Sequence, residues 1–125
     1  MEFSIRSYAY IGDAVYELFA RKKTVLLTQS PGKLHQATSS IVNAQFHAEL
    51  LEFVKDFLND EEKEIVRRAR NLSVTTARRT NHTVHRLSTA FEALIGYLYL
   101  TDKDRLKDLY SYIEPMIDEK LLNTV

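Results

Sequence analysis

Two carboxylates, Glu92 and Asp13, are the residues best placed to do chemistry in this chain. Glu92 interrupts the stretch from Ser88 to Leu100, which is apolar almost all the way round a helix, as is typical of a helix buried inside a domain. An ionised carboxylate in such a place is costly unless a cation, a metal ion or hydrogen bonds compensate its charge. The sequence therefore predicts a compensating partner for Glu92.

Asp13 could contribute oxygen ligands beside Glu92 if their two helices pack side by side. Gly12 and Gly96 would let those helices approach closely. Phosphodiester hydrolysis at neutral pH commonly uses a divalent metal ion held by carboxylates, which activates water and stabilises the leaving oxygen. On spacing alone, two carboxylates so far apart in sequence support such a site only weakly.

The second chemical feature is a basic segment from Ile65 to Phe91. It contains no acidic residue and six arginines, whereas the rest of the chain carries 11 basic and 17 acidic groups. The arginines are Arg67, Arg68, Arg70, Arg78, Arg79 and Arg86. A one-sided basic segment is a typical footprint for binding phosphate groups. A solvated basic loop explains the same pattern equally well, and the zero net charge of the chain does not favour a nucleic-acid binder.

Composition narrows the class of protein. A chain of 125 residues with 45% hydrophobic content suits one domain, and the absence of cysteine excludes disulfides, thiolate zinc sites and cysteine nucleophiles. No apolar run approaches the roughly 18 residues of a membrane span, and no signal-peptide pattern opens the chain. We expect a single soluble domain, residues 1–125, in the cytoplasm. The four histidines lack zinc-ligand spacing, and no P-loop or GxGxxG motif is present.

The sequence predicts helices as the elements that position the two carboxylates and the basic segment. A first helix, capped by Ser4 or Ser7, is predicted to run to about Lys23. Its core face is predicted from helical spacing to contain Tyr8, Ile11, Val15 and Phe19, with Asp13 and Glu17 on the opposite side. Asp13 and Glu17 are like charges four residues apart, which is mildly unfavourable unless a cation lies near them.

Five or six helices are expected in total. Ser30 and Pro31 open a long helix that is predicted to end near Asn59, and Asp60 is predicted to cap the next one. Residues 71–84 show no periodicity and are predicted to form a functional loop. The buried helix is predicted from His85 to Leu100, and a last helix follows Asp102, with Pro115 expected to bend or split it.

Three ordered motifs resemble the ribonuclease III family. Tyr10-Ile-Gly-Asp-Ala-Val-Tyr-Glu17 is similar to the family signature, and Phe91-Glu-Ala-Leu-Ile-Gly-Tyr-Leu-Tyr-Leu100 is similar to its second carboxylate motif. Between them, Gly32-Lys-Leu34 with Ser40, Val42 and Asn43 resembles the second-helix segment. Within the family, Arg67-Arg-Ala-Arg-Asn71 and Ser88-Thr89 before the second motif resemble the Mini-ribonuclease III branch.

The resemblance implies an all-α, ribonuclease III-like endonuclease domain that acts as a homodimer on double-stranded RNA. It implies Mg²⁺ dependence, with Mn²⁺ as a possible substitute, products with 5′-phosphate and 3′-hydroxyl ends, and a role in maturing the precursor of 23S ribosomal RNA. Asp13 and Glu92 match the catalytic, metal-binding carboxylates. Glu17 and Thr89 are candidates for supporting these ligands. The candidate RNA contacts are Arg67, Arg68, Arg70, Arg78 and Arg79.

The sequence also departs from the family pattern. Full-length ribonuclease III has acidic residues where this chain has Arg6, Ala9 and Thr89, and the branch usually has glycine at the position of Ala69. Whether one or two metal ions bind is left open. So is the dimer interface, which could use the exposed side of the first helix or the Leu72 to Val84 loop.

Two other functions fit the sequence. The first is a catalytically inactive, RNA-binding ribosome-assembly factor of the same fold, because the acidic positions are fewer than in full-length ribonuclease III. The second is a helical protein-interaction module with an acidic strip and a basic loop. Cleavage of a long RNA duplex by the wild-type protein would separate both from the nuclease.

Overall fold

The computed structural model describes residues 2–72 and 82–124, and these residues form helices joined by short connections, with no strand among them. The predicted all-α class is therefore confirmed. The six described helices are α1 (Ile5–Thr24), α2 (Pro31–Ile41), α3 (Ala44–Val54), α4 (Asp60–Arg70), α5 (His82–Thr101) and α6 (Lys103–Leu122). None of them is both long enough and apolar enough to cross a membrane.

Helix α5 is the centre of the fold, because α1, α3, α4 and α6 all pack against it. Its apolar residues face several neighbours at once, which explains why they lie all the way round the helix. Its buried residues are Ser88, Ala90, Phe91, Ala93, Leu94, Ile95, Gly96 and Leu98. Glu92 is therefore carried on the element that the rest of the domain surrounds.

Helices α1 and α5 approach most closely at two glycines. A Cβ atom added to Gly12 would collide with the backbone carbonyl of Glu92, and one added to Gly96 would collide with the backbone carbonyl of Tyr8. The side-by-side packing expected from these glycines is confirmed. It places the backbone of Glu92 directly against the turn of α1 that carries Asp13.

The predicted core face of α1 was partly wrong. Tyr8 is buried, but Ile11, Val15 and Phe19 are only partly buried. The line of burial passes instead through Ile5, Tyr8, Gly12, Tyr16, Ala20 and Thr24. Helix α5 packs along Gly12 and Ala20 of α1, because these small residues let the two helices approach closely. The buried face of α1 is therefore rotated from its predicted position toward Asp13.

One long helix was predicted between Ser30 and Asn59, and this prediction was wrong. The chain breaks at Val42 and Asn43, and α3 starts afresh at Ala44. The Asn43 side-chain oxygen accepts a hydrogen bond from the Phe46 N–H at 2.8 Å, while its amide donates to the Ser39 carbonyl at 2.8 Å. One side chain thus caps the end of α2 and the start of α3. The break turns α3 so that it can pack on α5.

The other predicted boundaries shifted slightly. Asn59, not Asp60, caps α4, and it forms a reciprocal capping box with Glu62. Helix α5 begins at His82 rather than His85. Helix α6 is not split by Pro115, because Ile113 and Ile117 on either side are both buried in the core. The predicted 71–84 loop lies largely on residues 73–81, outside the described residues.

Helix α4 is anchored to α6 by a buried ion pair. Glu62, which is 1% exposed, accepts hydrogen bonds from Arg105 Nε at 2.7 Å and from Arg105 Nη2 at 2.9 Å. The Arg105 guanidinium also donates to the Phe57 carbonyl at 2.9 Å. This two-pronged ion pair ties the first turn of α4 to α6, while the body of α4 packs against α5.

Candidate active site

Asp13 and Glu92 lie together, as the sequence predicted. Asp13 is exposed on α1, and the Glu92 side chain on α5 is 20% exposed, at the edge of the core. Burial, the negative charge of Asp13 and a hydrogen bond with Asp13 raise the pKa of Glu92 to about 8. The Glu92 carboxyl group is therefore largely protonated at neutral pH unless a cation compensates its charge.

A buried histidine on α3, His47, lies on the core side of the Asp13–Glu92 pair. His47 is 3% exposed, and its Nδ1 lies 3.1 Å from Ser88 Oγ and 3.8 Å from Glu92 Oε2. Burial lowers the pKa of His47 to about 4, although the negative charge of Asp13 acts in the opposite direction. The imidazole ring is therefore neutral at neutral pH. It meets Glu92 as a dipole and not as a counter-charge.

Aromatic side chains hold His47 in place. Tyr16 packs edge-on against the imidazole with the ring centres 5.0 Å apart, and Phe91 lies 5.3 Å away on a tilted plane. The Tyr16 hydroxyl donates a hydrogen bond to the Ile41 carbonyl at 2.8 Å, which ties α1 to the end of α2. Because the wall behind the carboxylates is packed, they are accessible from the side of Asp13, which is exposed.

The carboxylate pair suits a divalent cation that takes few protein ligands. Mg²⁺ is typically bound by one or two carboxylates and completes its six oxygen ligands with water and substrate phosphates. A positive charge would remove the repulsion that raises the pKa of Glu92. In residues 2–72 and 82–124, no group of three or more acidic, histidine or cysteine side chains converges as a metal site. A cage built wholly of such protein ligands is therefore not formed by the described part of the chain.

The two predicted supporting residues differ in their surroundings. Glu17 lies one turn beyond Asp13 but forms an ion pair with Arg21, with Arg21 Nη2 2.6 Å from Glu17 Oε2. Thr89 is half-buried on α5, beside Ser88. A supporting role for either stays a prediction.

Of the five predicted RNA-contacting arginines, three lie among the described residues and cluster at the end of α4. Arg67 donates two hydrogen bonds to Glu64, at 2.9 and 2.7 Å, and Arg68 donates one to Glu2 at 3.0 Å. Arg70 is exposed and forms no salt bridge within the described parts of the chain. Arg78 and Arg79 lie outside the described residues.

Arg70 opens onto a polar cleft of about 630 Å³ between α3, α4 and the start of α5. Its basic lining comprises Lys55, Lys63, Arg67, Arg70 and Arg86, and its acidic lining comprises Glu52 and Asp56. Arg86 belongs to the basic segment but was not among the predicted RNA contacts. The signal that would have found it is its place in the segment from Ile65 to Phe91, which contains no acidic residue.

His47 was also missed, and no sequence signal identifies it. No motif in the sequence links His47 to Asp13 or Glu92. His47 lies in the middle of an apolar helix, where a histidine is usually a core residue. The fold alone brings it within 3.8 Å of Glu92. Ser88, by contrast, can be placed near Glu92 from the sequence, because residues four apart lie on one face of a helix.

Known proteins are similar to this chain in both sequence and structure. The model of the Ribonuclease III domain family matches residues 6–103. A Mini-ribonuclease 3 from Thermoanaerobacter sp. is 43% identical over 114 residues, which cover 89% of this chain and 80% of that protein. A Mini-ribonuclease 3 from Staphylococcus aureus is 39% identical over 117 residues, or 90% of this chain and 87% of that protein.

The fold is similar as well. A crystal structure of a protein from Fusobacterium nucleatum superposes with a TM-score of 0.82 at 28% identity, covering 93% of both chains. The family match spans both carboxylates and the helices that bring them together. The chain therefore belongs to the ribonuclease III domain family, on its Mini-ribonuclease 3 branch.

Proposed function

We propose that this protein is a divalent-metal-dependent endoribonuclease that cleaves double-stranded RNA to 5′-phosphate and 3′-hydroxyl ends. The observation that carries the proposal is the contact between Asp13 and Glu92 at the edge of the core, where burial, the negative charge of Asp13 and a hydrogen bond with Asp13 raise the pKa of Glu92 to about 8. The two residues come from the two carboxylate motifs that resemble those of the family. Two carboxyl groups that repel each other at an open edge of the core are typical of a site made for a cation.

Each residue has a distinct part in this reaction. Mg²⁺ or Mn²⁺, when bound, supplies a Lewis acid and an activated water for phosphodiester hydrolysis. Asp13 and Glu92 would hold the cation and place it at the edge of the domain, where a phosphate group can approach. Glu92 must release its proton when the cation binds, because the proton and the cation occupy the same carboxylate oxygens. The packed aromatic wall keeps the carboxylates facing outward.

The polar cleft between α3, α4 and the start of α5, whose lining is mainly basic, is the proposed RNA-backbone contact. Arg70 and Arg86 point toward solvent without a salt-bridge partner in the described residues, so their charges are available for phosphate groups. Such contacts read the shape of an A-form duplex rather than its sequence. Arg67 and Arg68 would first have to leave Glu64 and Glu2, so we rank them lower.

We propose that two copies of the chain act together, each cutting one strand, as the resemblance implies. A surface suited to a second copy is the apolar groove of about 960 Å³ between α1 and α6. Its lining includes the exposed Leu18, Leu26, Leu27 and Leu122. Burying such side chains is favourable by roughly 25 cal/mol per Å². Sedimentation of a Leu26→Glu variant tests this face, since a dimer of unchanged stability would exclude it.

The proposed natural substrate is the precursor of 23S ribosomal RNA, which the resemblance to Mini-ribonuclease III implies. Because this RNA is processed where it is transcribed in bacteria, we propose a cytoplasmic location. Incubating the purified protein with precursor ribosomal RNA and mapping the ends that appear would test this substrate. Cleavage of unrelated duplexes at equal rates would contradict a preference for it.

The deciding experiment for the activity incubates a long RNA duplex with the protein and Mg²⁺. We expect the wild type to cut both strands, and Asp13→Asn and Glu92→Gln to be slower by about two to three orders of magnitude, since each removes a cation ligand. Glu64→Gln is the matched control, because Glu64 is an exposed carboxylate paired only with Arg67 among the described residues. Cleavage that survives Asp13→Asn would rule out this site.

The inactive RNA-binding factor is the alternative that one observation favours. Only two carboxylates meet at the site among the described residues, since Thr89 and Ala9 stand where full-length ribonuclease III has acids. Duplex binding by the wild type without cleavage under Mg²⁺ or Mn²⁺ would establish that alternative.

A further inference from the structure

We propose that His47 is a positioning residue for Glu92: its Nδ1–H group, which donates to Ser88 Oγ and lies 3.8 Å from Glu92 Oε2, directs its dipole at the carboxylate and holds it in the orientation that binds the divalent cation. The inference rests on the proposed function, because it concerns the same site. His47 would touch neither cation nor RNA, and would act through Glu92 alone.

The first observation is that, among the described residues, the hydrogen-bonding contact of the His47 ring lies on its Nδ1 side. Nδ1 lies 3.1 Å from Ser88 Oγ and 3.8 Å from Glu92 Oε2. Nε2 is buried and has no hydrogen-bond partner among the described residues. Among the described residues, the ring therefore forms a hydrogen bond only through Nδ1, on the side that faces α5.

The second observation concerns where the single ring proton resides. A proton on Nε2 would bury an N–H group without an acceptor, and orphaned buried donors are rarer in proteins than orphaned acceptors. A proton on Nδ1 can be donated to Ser88 Oγ and directs the N–H dipole toward the Glu92 carboxylate. The packing therefore favours the Nδ1–H form, with Nε2 as a bare acceptor.

The third observation is that the ring cannot turn away. Tyr16 and Phe91 pack against it, with ring-centre distances of 5.0 and 5.3 Å, and Tyr16 is itself fixed by its hydrogen bond to Ile41. A fixed N–H dipole behind a carboxylate limits the rotations that the carboxylate can adopt. Groups that orient a metal ligand in this way typically change metal affinity 10- to 100-fold when they are removed.

Two substitutions separate this role from simple packing. His47→Asn keeps an N–H donor close to the position of Nδ1, because its amide nitrogen is the same number of bonds from Cβ. His47→Leu fills a similar volume but donates nothing. Both remove the unpartnered Nε2, but His47→Asn is smaller than the ring that packs on Tyr16 and Phe91, so urea unfolding of both variants must accompany the titration.

The test is a Mn²⁺ titration without RNA, in which the free ion is followed by its electron paramagnetic resonance at constant pH. We expect His47→Leu to bind Mn²⁺ about 10-fold or more weakly than the wild type, and His47→Asn to recover most of that loss. Equal Mn²⁺ affinity of His47→Leu and wild type would overturn the proposal. An equal loss of Mn²⁺ affinity in both variants would also overturn the proposal, because the N–H donor that His47→Asn keeps would then have no effect.

A second measurement does not depend on the variants. The ¹⁵N chemical shifts of the His47 ring in the metal-free wild type distinguish its two neutral forms, and we expect Nδ1 to carry the proton. A proton on Nε2 would overturn the proposal. A wild type that neither binds Mn²⁺ nor cleaves duplex RNA would instead refute the proposed function, so the two failures are distinguishable.

Discussion

Gly12 on α1 faces the backbone carbonyl of Glu92 on α5 at a distance that leaves no room for a Cβ atom. Gly12 directly precedes Asp13 in the chain, and the carbonyl group that it meets belongs to Glu92 itself. The spacing of the two carboxylates is therefore set by the absence of a side chain at position 12. A mid-helix glycine disfavours an isolated helix by about 1 kcal/mol relative to alanine. Here the close approach that it permits is what brings the carboxylates together.

Gly12→Ala should therefore damage both stability and activity. The added methyl group meets backbone, which cannot move aside as a flexible side chain can, so we expect a loss of about 1–3 kcal/mol in the free energy of unfolding. Cleavage should fall as well, because α1 and α5 must separate. Urea unfolding and a duplex cleavage assay measure the two effects.

Gly32→Ala is the matched control. A Cβ at Gly32 meets no atom within 4 Å, and the residue lies in the first turn of α2. Alanine is the better helix former, so this variant should be as stable as the wild type or more so. Equal stability of the two variants would show that the α1–α5 contact can adjust.

Metal affinity should depend on pH through Glu92. Its raised pKa of about 8 means that the metal-free site holds a proton at pH 6 to 7. The cation must displace this proton, so the apparent affinity for Mn²⁺ should rise by about 10-fold per pH unit from pH 6 to about 8, and then level off. Calorimetry in buffers of different ionisation enthalpy would count the protons released. A flat affinity over this range would contradict the release of a proton from Glu92 on metal binding.

The same raised pKa predicts the effect of Glu92→Gln on stability. Between the ordinary carboxyl pKa near 4.5 and about 8, the metal-free folded state binds more protons than the unfolded state. The free energy of unfolding therefore falls as pH rises through this window. Glutamine carries no charge, so Glu92→Gln should melt above the wild type at pH 8 in the presence of EDTA, with the difference shrinking toward pH 5.

Glu17→Gln is the control for that experiment. Glu17 is paired with Arg21 near the surface, and the loss of such a pair changes stability by no more than about 1 kcal/mol. Its effect should not grow with pH between 5 and 8. If Glu17→Gln and Glu92→Gln were stabilised alike at pH 8, general charge relief and not the Asp13 contact would be responsible.

The polar cleft should contribute to RNA binding through Arg70 and Arg86. Replacing both by alanine removes two charges that have no salt-bridge partner among the described residues, so duplex affinity should fall. The slope of log affinity against log salt concentration should become shallower by about 1 for each phosphate group that an arginine no longer neutralises. Arg68→Ala is the control, because Arg68 is already paired with Glu2. An unchanged slope in the double variant would exclude the cleft as an RNA-backbone contact.

The sequence by itself determined the fold class, the central helix and the carboxylate pair. These follow from local periodicity and from motifs that keep their order: the apolar circumference of Ser88 to Leu100, and the Gly-Asp and Phe-Glu motifs on two helices. Gly12 and Gly96 also signalled correctly that these helices pack together. The fold class and the central helix depend on neighbours within one or two turns, whereas the carboxylate pair was indicated by the order of the family-like motifs and by the two glycines.

Tertiary structure alone decided the rest. The break at Asn43 depends on one side chain that caps two helices, and this break lets α3 bring His47 within 3.8 Å of Glu92. The buried face of α1 is rotated from its predicted position because α5 packs on the smallest side chains. The pKa values of Glu92 and His47 arise from burial between helices distant in sequence. Helical periodicity carries no information about such contacts, because they depend on which faces meet.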